Sequence, residues 1–224
     1  MGDYLNQQGY TCLGVRLAGH ATDPEDMIRS RWTDWTASVE DGYNLLRGTT
    51  DKIFLVGLSM GGVLSLLMST RLDVAGVVAM STPYTLPNDP KDYPLWYIRL
   101  YSHFVKYLPK TKEEPGATWF DKEAFKDHIS YPQNPIRSIA EMKTLLGEMR
   151  AALPLVKKPV LLIHSKNDKY VLPENMERLY DGLVNASDKT KAYVVEAGHV
   201  VTRDAAHHQV FELARDFIRR NENQ

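Results

Sequence analysis

A serine lies at the centre of a glycine-rich run, Gly57-Leu58-Ser59-Met60-Gly61-Gly62, between a predicted strand and a predicted helix. A serine in such a strand-to-helix turn presents its hydroxyl at the edge of a sheet, where it can attack a carbonyl carbon. Glycines at positions 57 and 61 would let neighbouring backbone pass without a Cβ clash. The run predicts a nucleophile at Ser59, and a glycine-rich turn with an incidental serine is the alternative.

The helix that follows Ser59 adds a second chemical feature to the turn. A helix N-terminus carries partial positive charge and unpaired backbone N–H groups, which stabilise the oxyanion formed when a carbonyl is attacked. The backbone N–H of Met60 is therefore predicted to be an oxyanion donor.

A serine hydroxyl needs a base within hydrogen-bond reach, and histidine suits that role near neutral pH. Of the seven histidines, His199 follows the predicted strand 192–196 through Ala197-Gly198, where it could face the turn at Ser59. His164 is the main competitor because it ends the predicted strand 160–164. We predict His199 as the general base, with an ordinary surface histidine as the alternative.

An aspartate four residues after His164 completes the constellation. Asp168 lies in the loop 164–168, where its carboxylate could accept a hydrogen bond from Nδ1 of His199 and fix the tautomer of that ring. His164 is then expected to support the loop. Weaker alternatives fall in helix, turn or post-histidine positions, and they are Asp181, Asp188 and Asp204.

The elements around these residues alternate between short apolar runs and helical patterns. Most of the runs are apolar on both faces, which indicates a parallel sheet covered by helices on both sides and an α/β fold class. Strands are predicted at 11–17, 52–56, 74–80, 160–164 and 192–196. Helices are predicted at 31–46, 62–71, 175–183 and 205–220.

This alternation stops between residues 83 and 154, where prolines and aromatic residues become frequent. A segment of this length is not a simple loop. A second helix is predicted at 136–153, and a first is indicated by apolar residues on one helical face, namely Tyr97, Leu100, Tyr101, Phe104, Tyr107 and Leu108. We therefore predict a helical cap, 83–154, inserted between two core segments, 1–82 and 155–224.

The aromatic residues of the cap could also line an apolar pocket, because sites for small molecules are concave and largely apolar. Trp96, Tyr97 and Tyr101 are the predicted substrate-binding residues. The alternative is that these rings attach the cap to the sheet, since aromatic residues at helical spacing usually mark a packed face.

Composition limits the possible partners of the chain. The 224 residues include 27 basic and 28 acidic side chains, and a net charge of -1 provides no broad field for nucleic acid or an anionic membrane. No stretch approaches the roughly 20 apolar residues of a membrane span, and no export signal is visible, so a cytoplasmic protein is expected. The single cysteine, Cys12, excludes an intrachain disulfide or thiol metal site and is expected to pack in a strand.

The order serine, aspartate, histidine resembles that of the α/β-hydrolases. The chain resembles bacterial carboxylesterases related to monoacylglycerol lipases at residues 57–62, at 164–168, at Gly198-His199-Val200 and at the Gly19-His20 turn. This resemblance implies hydrolysis of short- or medium-chain carboxylic esters or monoacylglycerols through an acyl-serine intermediate, without a metal or organic cofactor. A small-molecule ester is the implied partner. Thioesterase, acyltransferase and peptidase activities remain open.

The N-terminal part of the chain departs from this family. The family has a strand ending in a histidine-glycine-aromatic oxyanion loop before the helix that residues 3–8 resemble, with Gly9 as the cap of that helix. The resemblance implies a gap in the sheet between the strands predicted at 11–17 and 52–56, and an N-terminally truncated core. The alternative function is a catalytically impaired binding protein or fragment that lacks the oxyanion loop.

Overall fold

The computed structural model describes residues 1–87, 93–109 and 116–222. The strands are β1 (Phe54–Leu58), β2 (Gly76–Met80), β3 (Tyr107–Pro109), β4 (Gln133–Pro135), β5 (Val160–Ser165) and β6 (Lys189–Val194). A four-stranded parallel sheet, in the order β1-β2-β5-β6, forms the centre of the molecule. A short antiparallel ribbon pairs β3 with β4.

Helices connect and cover these strands. They are α1 (Gly2–Gln7), α2 (Pro24–Arg29), α3 (Trp32–Leu46), α4 (Met60–Met68), α5 (Leu95–Tyr101), α6 (Lys122–Lys126), α7 (Ile136–Ala152), α8 (Glu174–Gly182) and α9 (His207–Asn221). Within the described residues, no helix combines the length and apolar character that crossing a membrane requires.

The two faces of the sheet bury different side chains because successive residues of a strand point in opposite directions. In β2, Val77 and Ala79 pack with α3, α4, α7 and α8 on one face. Val78 and Met80 pack with α1 and α9 on the other. Helices therefore cover both faces, which confirms the predicted α/β class.

The covering helices differ in sequence according to how deeply they are buried. From Gly62 to Met68 every residue of α4 is buried, and this run is almost wholly apolar. In α9 the buried positions follow helical spacing, with Val210, Ala214 and Phe217 facing the sheet and charged residues facing out. Four of the five predicted strands correspond to β1, β2, β5 and β6, with ends displaced by a few residues.

The prediction of a strand at 11–17 is wrong. This segment has no regular secondary structure, and Leu13 and Val15 are 41% and 39% exposed. A groove of about 350 Å³ lies between the segment and β1, and the segment pairs with no strand among the described residues. Strand β1 is consequently an edge of the sheet. Cys12, expected to pack in this strand, is exposed.

The region of the predicted cap contains less helix than its sequence pattern suggested. Helix α5 ends at Tyr101, Phe104 lies beyond it, and Tyr107 begins β3, so the single helical face predicted across these residues is wrong. The predicted second helix is present as α7, whose Leu145, Leu146 and Met149 pack in the core beside α4. Residues 88–92 and 110–115 of the predicted cap lie outside the described residues, and the domain division remains a prediction.

Candidate active site

Ser59 occupies a strained turn between the end of β1 and the start of α4. Its backbone has φ 55° and ψ −119°. Residues other than glycine rarely adopt this conformation, which costs on the order of 1–3 kcal/mol. The backbone N–H of Ser59 donates to the carbonyl of Met80 at 2.8 Å and so fixes the turn to the end of β2. The hydroxyl is thereby held at the carboxyl edge of the sheet.

The glycines around Ser59 do not share one role. A Cβ at Gly57 would overlap the backbone carbonyl of Gly61, and a Cβ at Gly62 would overlap the hydroxyl of buried Thr82. A Cβ at Gly61 would meet nothing, because Gly61 lines the groove beside β1. The expectation that Gly61 also needs to lack a Cβ is therefore wrong for this structure.

This contrast gives a stability prediction. Gly57→Ala should lower the free energy of unfolding by about 3 kcal/mol or more, since two backbone segments must separate to admit one methyl group. Gly61→Ala is the matched control and should change stability by no more than about 1 kcal/mol, because its site is open and helical. Urea unfolding followed by circular dichroism measures both, and equal stability of the two variants would contradict the assigned overlap.

The structure brings together the three side chains that the sequence singled out. His199 Nε2 lies 2.9 Å from Ser59 Oγ, and His199 Nδ1 lies 2.8 Å from Asp168 Oδ2. Both distances are within ordinary hydrogen-bond range. The imidazole thus bridges the hydroxyl of Ser59 and the carboxylate of Asp168, which lie far apart along the chain.

The carboxylate of Asp168 is buried but well provided with donors. The residue is 2% exposed, and its Oδ1 accepts the backbone N–H groups of Tyr170 and Val171, each at 2.9 Å. Burial acts to raise the pKa of Asp168, but the hydrogen bonds from His164 and His199 outweigh that effect and hold this pKa well below its ordinary value. The carboxylate therefore stays ionised near neutral pH.

An ionised carboxylate can only accept hydrogen bonds, and this determines the state of the histidine. Nδ1 of His199 must carry the proton that it shares with Asp168, so Nε2 of the neutral ring has a free lone pair. That lone pair faces the hydroxyl of Ser59. The arrangement suits transfer of the serine proton to the ring.

His164 supports the aspartate loop, as the sequence suggested. It is 1% exposed, and its Nε2–H donates to the carbonyl of Val171 at 2.8 Å while lying 3.4 Å from Asp168 Oδ2. Because a carbonyl only accepts, this nitrogen carries a proton. His164 thus braces the turn that holds Asp168, and His199 is the ring that contacts Ser59.

The loops carrying Asp168 and His199 are also tied to each other. The hydroxyl of Ser165 donates to the carbonyl of Ala197, and the N–H of Glu196 donates to Oδ1 of Asn167 at 3.0 Å. These bonds keep the two loops in register at the carboxyl edge of β5 and β6.

Asp204 has a positioning role that sequence reasoning missed. It is 1% exposed, and its Oδ2 accepts the backbone N–H of Gly198 at 2.6 Å. Its Oδ1 accepts the N–H groups of Phe120 and Asp121 at 2.9 and 2.7 Å. The carboxylate therefore fastens the residue before His199 to a distant segment of the chain. Only its position five residues after His199 marked it in the sequence, and that position suggested a weaker candidate for the acid.

The predicted oxyanion donor lies where the helix pattern indicated. Met60 is the first residue of α4, and its N–H has no acceptor among the hydrogen bonds of the described residues. An unpaired N–H at a helix start is free to bind an oxyanion beside Ser59.

The predicted substrate-binding residues lie on α5 and are not brought to the three central side chains by any contact in the described structure. Trp96, Tyr97 and Tyr101 are 66%, 43% and 39% exposed. Tyr97 stacks on Tyr101 with ring centroids 6.2 Å apart and meets Trp96 edge-on at 6.0 Å. They form a partly exposed aromatic surface on α5, and their role in substrate binding remains a prediction.

Within the described parts of the chain, no group of three or more His, Cys, Asp or Glu side chains is arranged to hold a metal ion. A cavity of about 660 Å³ is present between α3, α5 and α7, and none of Ser59, Asp168 and His199 lines it.

Known proteins are similar to this chain in sequence and in fold. The family model described as serine aminopeptidase, S33, matches residues 1–206. The chain is similar to a carboxylesterase from Bacillus subtilis (strain 168), with 28% identity over 220 residues that cover 95% of this chain and 84% of that enzyme. It is also similar to a thermostable monoacylglycerol lipase from Bacillus sp. (strain H-257), with 28% identity over 211 residues, 94% of this chain and 80% of that one.

A solved structure is also similar to this chain in fold. A structure of the metagenome-derived lipolytic enzymes LipS and LipT superposes with a TM-score of 0.85 at 27% sequence identity. The match covers 98% of this chain and 86% of the other.

Proposed function

We propose, since the chain belongs to the serine aminopeptidase S33 family and is a serine hydrolase, that it hydrolyses short- or medium-chain carboxylic esters or monoacylglycerols. The observation that carries the proposal is the continuous hydrogen-bond chain from Ser59 through His199 to Asp168. The similarity to a carboxylesterase and a monoacylglycerol lipase supports an ester as the substrate.

In the first step, Ser59 Oγ attacks the ester carbonyl and its proton passes to His199 Nε2. The carbonyl oxygen becomes an oxyanion, which the Met60 N–H stabilises. The C–O bond to the alcohol then breaks, and the leaving oxygen takes the proton from Nε2. An acyl-serine and a free alcohol result, with Asp168 stabilising the imidazolium throughout.

In the second step, a water molecule replaces the alcohol. His199 Nε2 accepts a proton from the water while its oxygen attacks the acyl carbon, and Ser59 Oγ recovers that proton as it leaves. The carboxylic acid departs and the starting state returns. This cycle uses no redox partner or bound ion.

The acyl chain of such an ester needs an apolar surface, and the exposed rings of α5 are the candidate for it. We assign Trp96, Tyr97 and Tyr101 to this contact because large apolar rings exposed next to one another favour a ligand with a hydrocarbon chain.

The test combines turnover with active-serine labelling. Purified protein should hydrolyse p-nitrophenyl butyrate with saturation and release fatty acid from a monoacylglycerol, and a fluorophosphonate probe should label Ser59. An amino-acid p-nitroanilide is the comparison, because the family name denotes an aminopeptidase. Preferential cleavage of the anilide, or a probe adduct on a serine other than Ser59, would overturn the ester proposal.

A hydrolase-fold protein with little turnover is the second candidate, and the groove beside β1 is the observation that favours it. Gly61, next to the oxyanion donor, lines this groove, so one side of the turn at Ser59 faces no strand within the part of the chain that the structure describes. Loss of one oxyanion donor lowers turnover by about 10² to 10³. Labelling of Ser59 without measurable ester turnover would favour this second candidate.

A further inference from the structure

A cavity of about 660 Å³ outside the catalytic site is lined by several positively charged residues. It lies between the start of α3, the helix α5 and the start of α7, and we call it the arginine cavity because Arg31, Arg99 and Arg137 all line it. Lys106 lines it as well, and Glu141 is the acidic residue among its described lining residues. The described lining therefore carries a net positive charge.

No ion pair in direct contact joins any of the three guanidinium groups to a carboxylate within residues 1–87, 93–109 and 116–222. Arg31 Nη1 donates to the backbone carbonyls of Arg29 and Ser30, at 2.9 and 3.4 Å. Arg99 Nη2 lies 3.5 Å from the hydroxyl of Thr144. For Arg137, no side-chain hydrogen bond or ion pair is formed with any described residue. Most of the donors of these side chains are therefore available to a ligand.

The other charged groups at the cavity do not neutralise this cluster. Glu141 is 7% exposed, and its Oε2 already accepts the backbone N–H of Trp32 at 3.2 Å. Lys106 lies 3.9 Å from Glu25, which also accepts the hydroxyl of Tyr107. Burial lowers the pKa of Arg137, the charges of Arg31 and Arg99 lower it further, and Glu141 opposes that change. Like charges held together in this way are stabilised by a bound anion.

We propose that the arginine cavity binds a small molecule that carries a phosphate monoester. Guanidinium groups match the oxygens of a phosphate with paired, charge-assisted hydrogen bonds, and several of them suit a dianion better than a single carboxylate. The cavity is within the size range of small-molecule sites, and Ile28 and Trp32 give it an apolar wall for the organic part of the ligand. The proposal does not depend on the chemistry at Ser59.

Calorimetric titration with glycerol 3-phosphate, at constant ionic strength, tests the site. Saturable binding is expected, Arg137→Gln should weaken it about tenfold, and Arg99→Gln provides a second variant if the first is unstable. Arg219→Gln on α9 removes the same charge at a site remote from the cavity lining and should leave affinity unchanged. Absence of saturable binding of both this compound and the lipid-like phosphate described next, or an equal loss in the Arg219 variant, would overturn the proposal.

Two further ligands define the chemistry recognised. Octyl phosphate, which contains no carboxylic ester, represents a lipid-like source of the same group. Binding of either phosphate compound that Arg137→Gln weakens by about tenfold supports the site. Succinate represents a dicarboxylate. Tighter binding of succinate than of both phosphate compounds would contradict the assigned phosphate class.

Discussion

Replacement of Ser59 by alanine should reduce kcat for p-nitrophenyl butyrate by a factor on the order of 10⁴ to 10⁶ while leaving the fold intact. The hydroxyl supplies the attacking oxygen, and no other group in the hydrogen-bond chain with His199 and Asp168 can replace it. The substitution removes one atom and adds no volume, so the strained backbone at position 59 is retained. Steady-state kinetics with thermal unfolding measures both quantities.

Ser69→Ala is the matched control because it makes the same substitution at the opposite end of α4. Ser69 is buried, and its hydroxyl donates to the carbonyl of Leu66 at 2.8 Å, so its loss costs stability of about 1 kcal/mol without affecting the turn at Ser59. Turnover by the Ser59 variant at the level of the Ser69 variant would remove Ser59 from the mechanism.

The three central side chains could be predicted because each follows a strand at the same edge of a parallel sheet. Ser59 follows β1, Asp168 follows β5 and His199 follows β6, and the carboxyl ends of parallel strands converge in space. Apolar runs located the strand ends, and the chain order serine, aspartate, histidine selected among the polar residues that follow them.

The failed prediction at 11–17 has a different origin. Its residue types favour a strand, but a strand also needs a partner, and the groove beside β1 contains none in the described structure. Local propensity does not reveal whether a neighbour is present. The same reasoning explains Gly61, whose Cβ position is open because it faces that groove.

Sequence patterns could not predict the contacts between distant segments. Asp204 binds Gly198 on one side and residues 120 and 121 on the other, and nothing in the spacing of these residues signals that pairing. The arginine cavity is likewise formed by residues of α3, α5 and α7, which lie far apart along the chain. Charge balance over the whole sequence concealed this local excess of cations.

Replacement of Asp168 by asparagine should lower kcat by about 10⁴, with a smaller effect on KM. The asparagine oxygen can continue to accept the N–H groups of Tyr170 and Val171, which directs its NH₂ group toward His199. Nδ1 of the ring must then accept a hydrogen bond, and the proton moves to Nε2. A protonated Nε2 of a neutral ring cannot take the proton of Ser59, so the base is lost although the geometry is nearly unchanged.

An NMR measurement distinguishes this tautomer effect from a general loss of structure. The ¹⁵N shifts of the His199 ring should indicate a protonated Nδ1 in the wild-type protein and a protonated Nε2 in the variant, with thermal unfolding remaining cooperative in both. Wild-type turnover by the asparagine variant, or an unchanged His199 tautomer, would contradict the assigned role of Asp168.

The difference in unfolding free energy between the wild-type protein and the Asp168→Asn variant should also depend on pH. The pKa of Asp168 is lower in the folded chain than its unfolded value of about 3.9, so the folded state favours the ionised form. The resulting stabilisation is fully present above that unfolded pKa and is lost as pH falls toward the folded pKa. The asparagine variant lacks this contribution, so the wild-type advantage in unfolding free energy should be constant near neutral pH and shrink below about pH 4. Urea unfolding at a series of pH values measures it, and an advantage that grows on acidification would show that the carboxylate is not stabilised in its charged form.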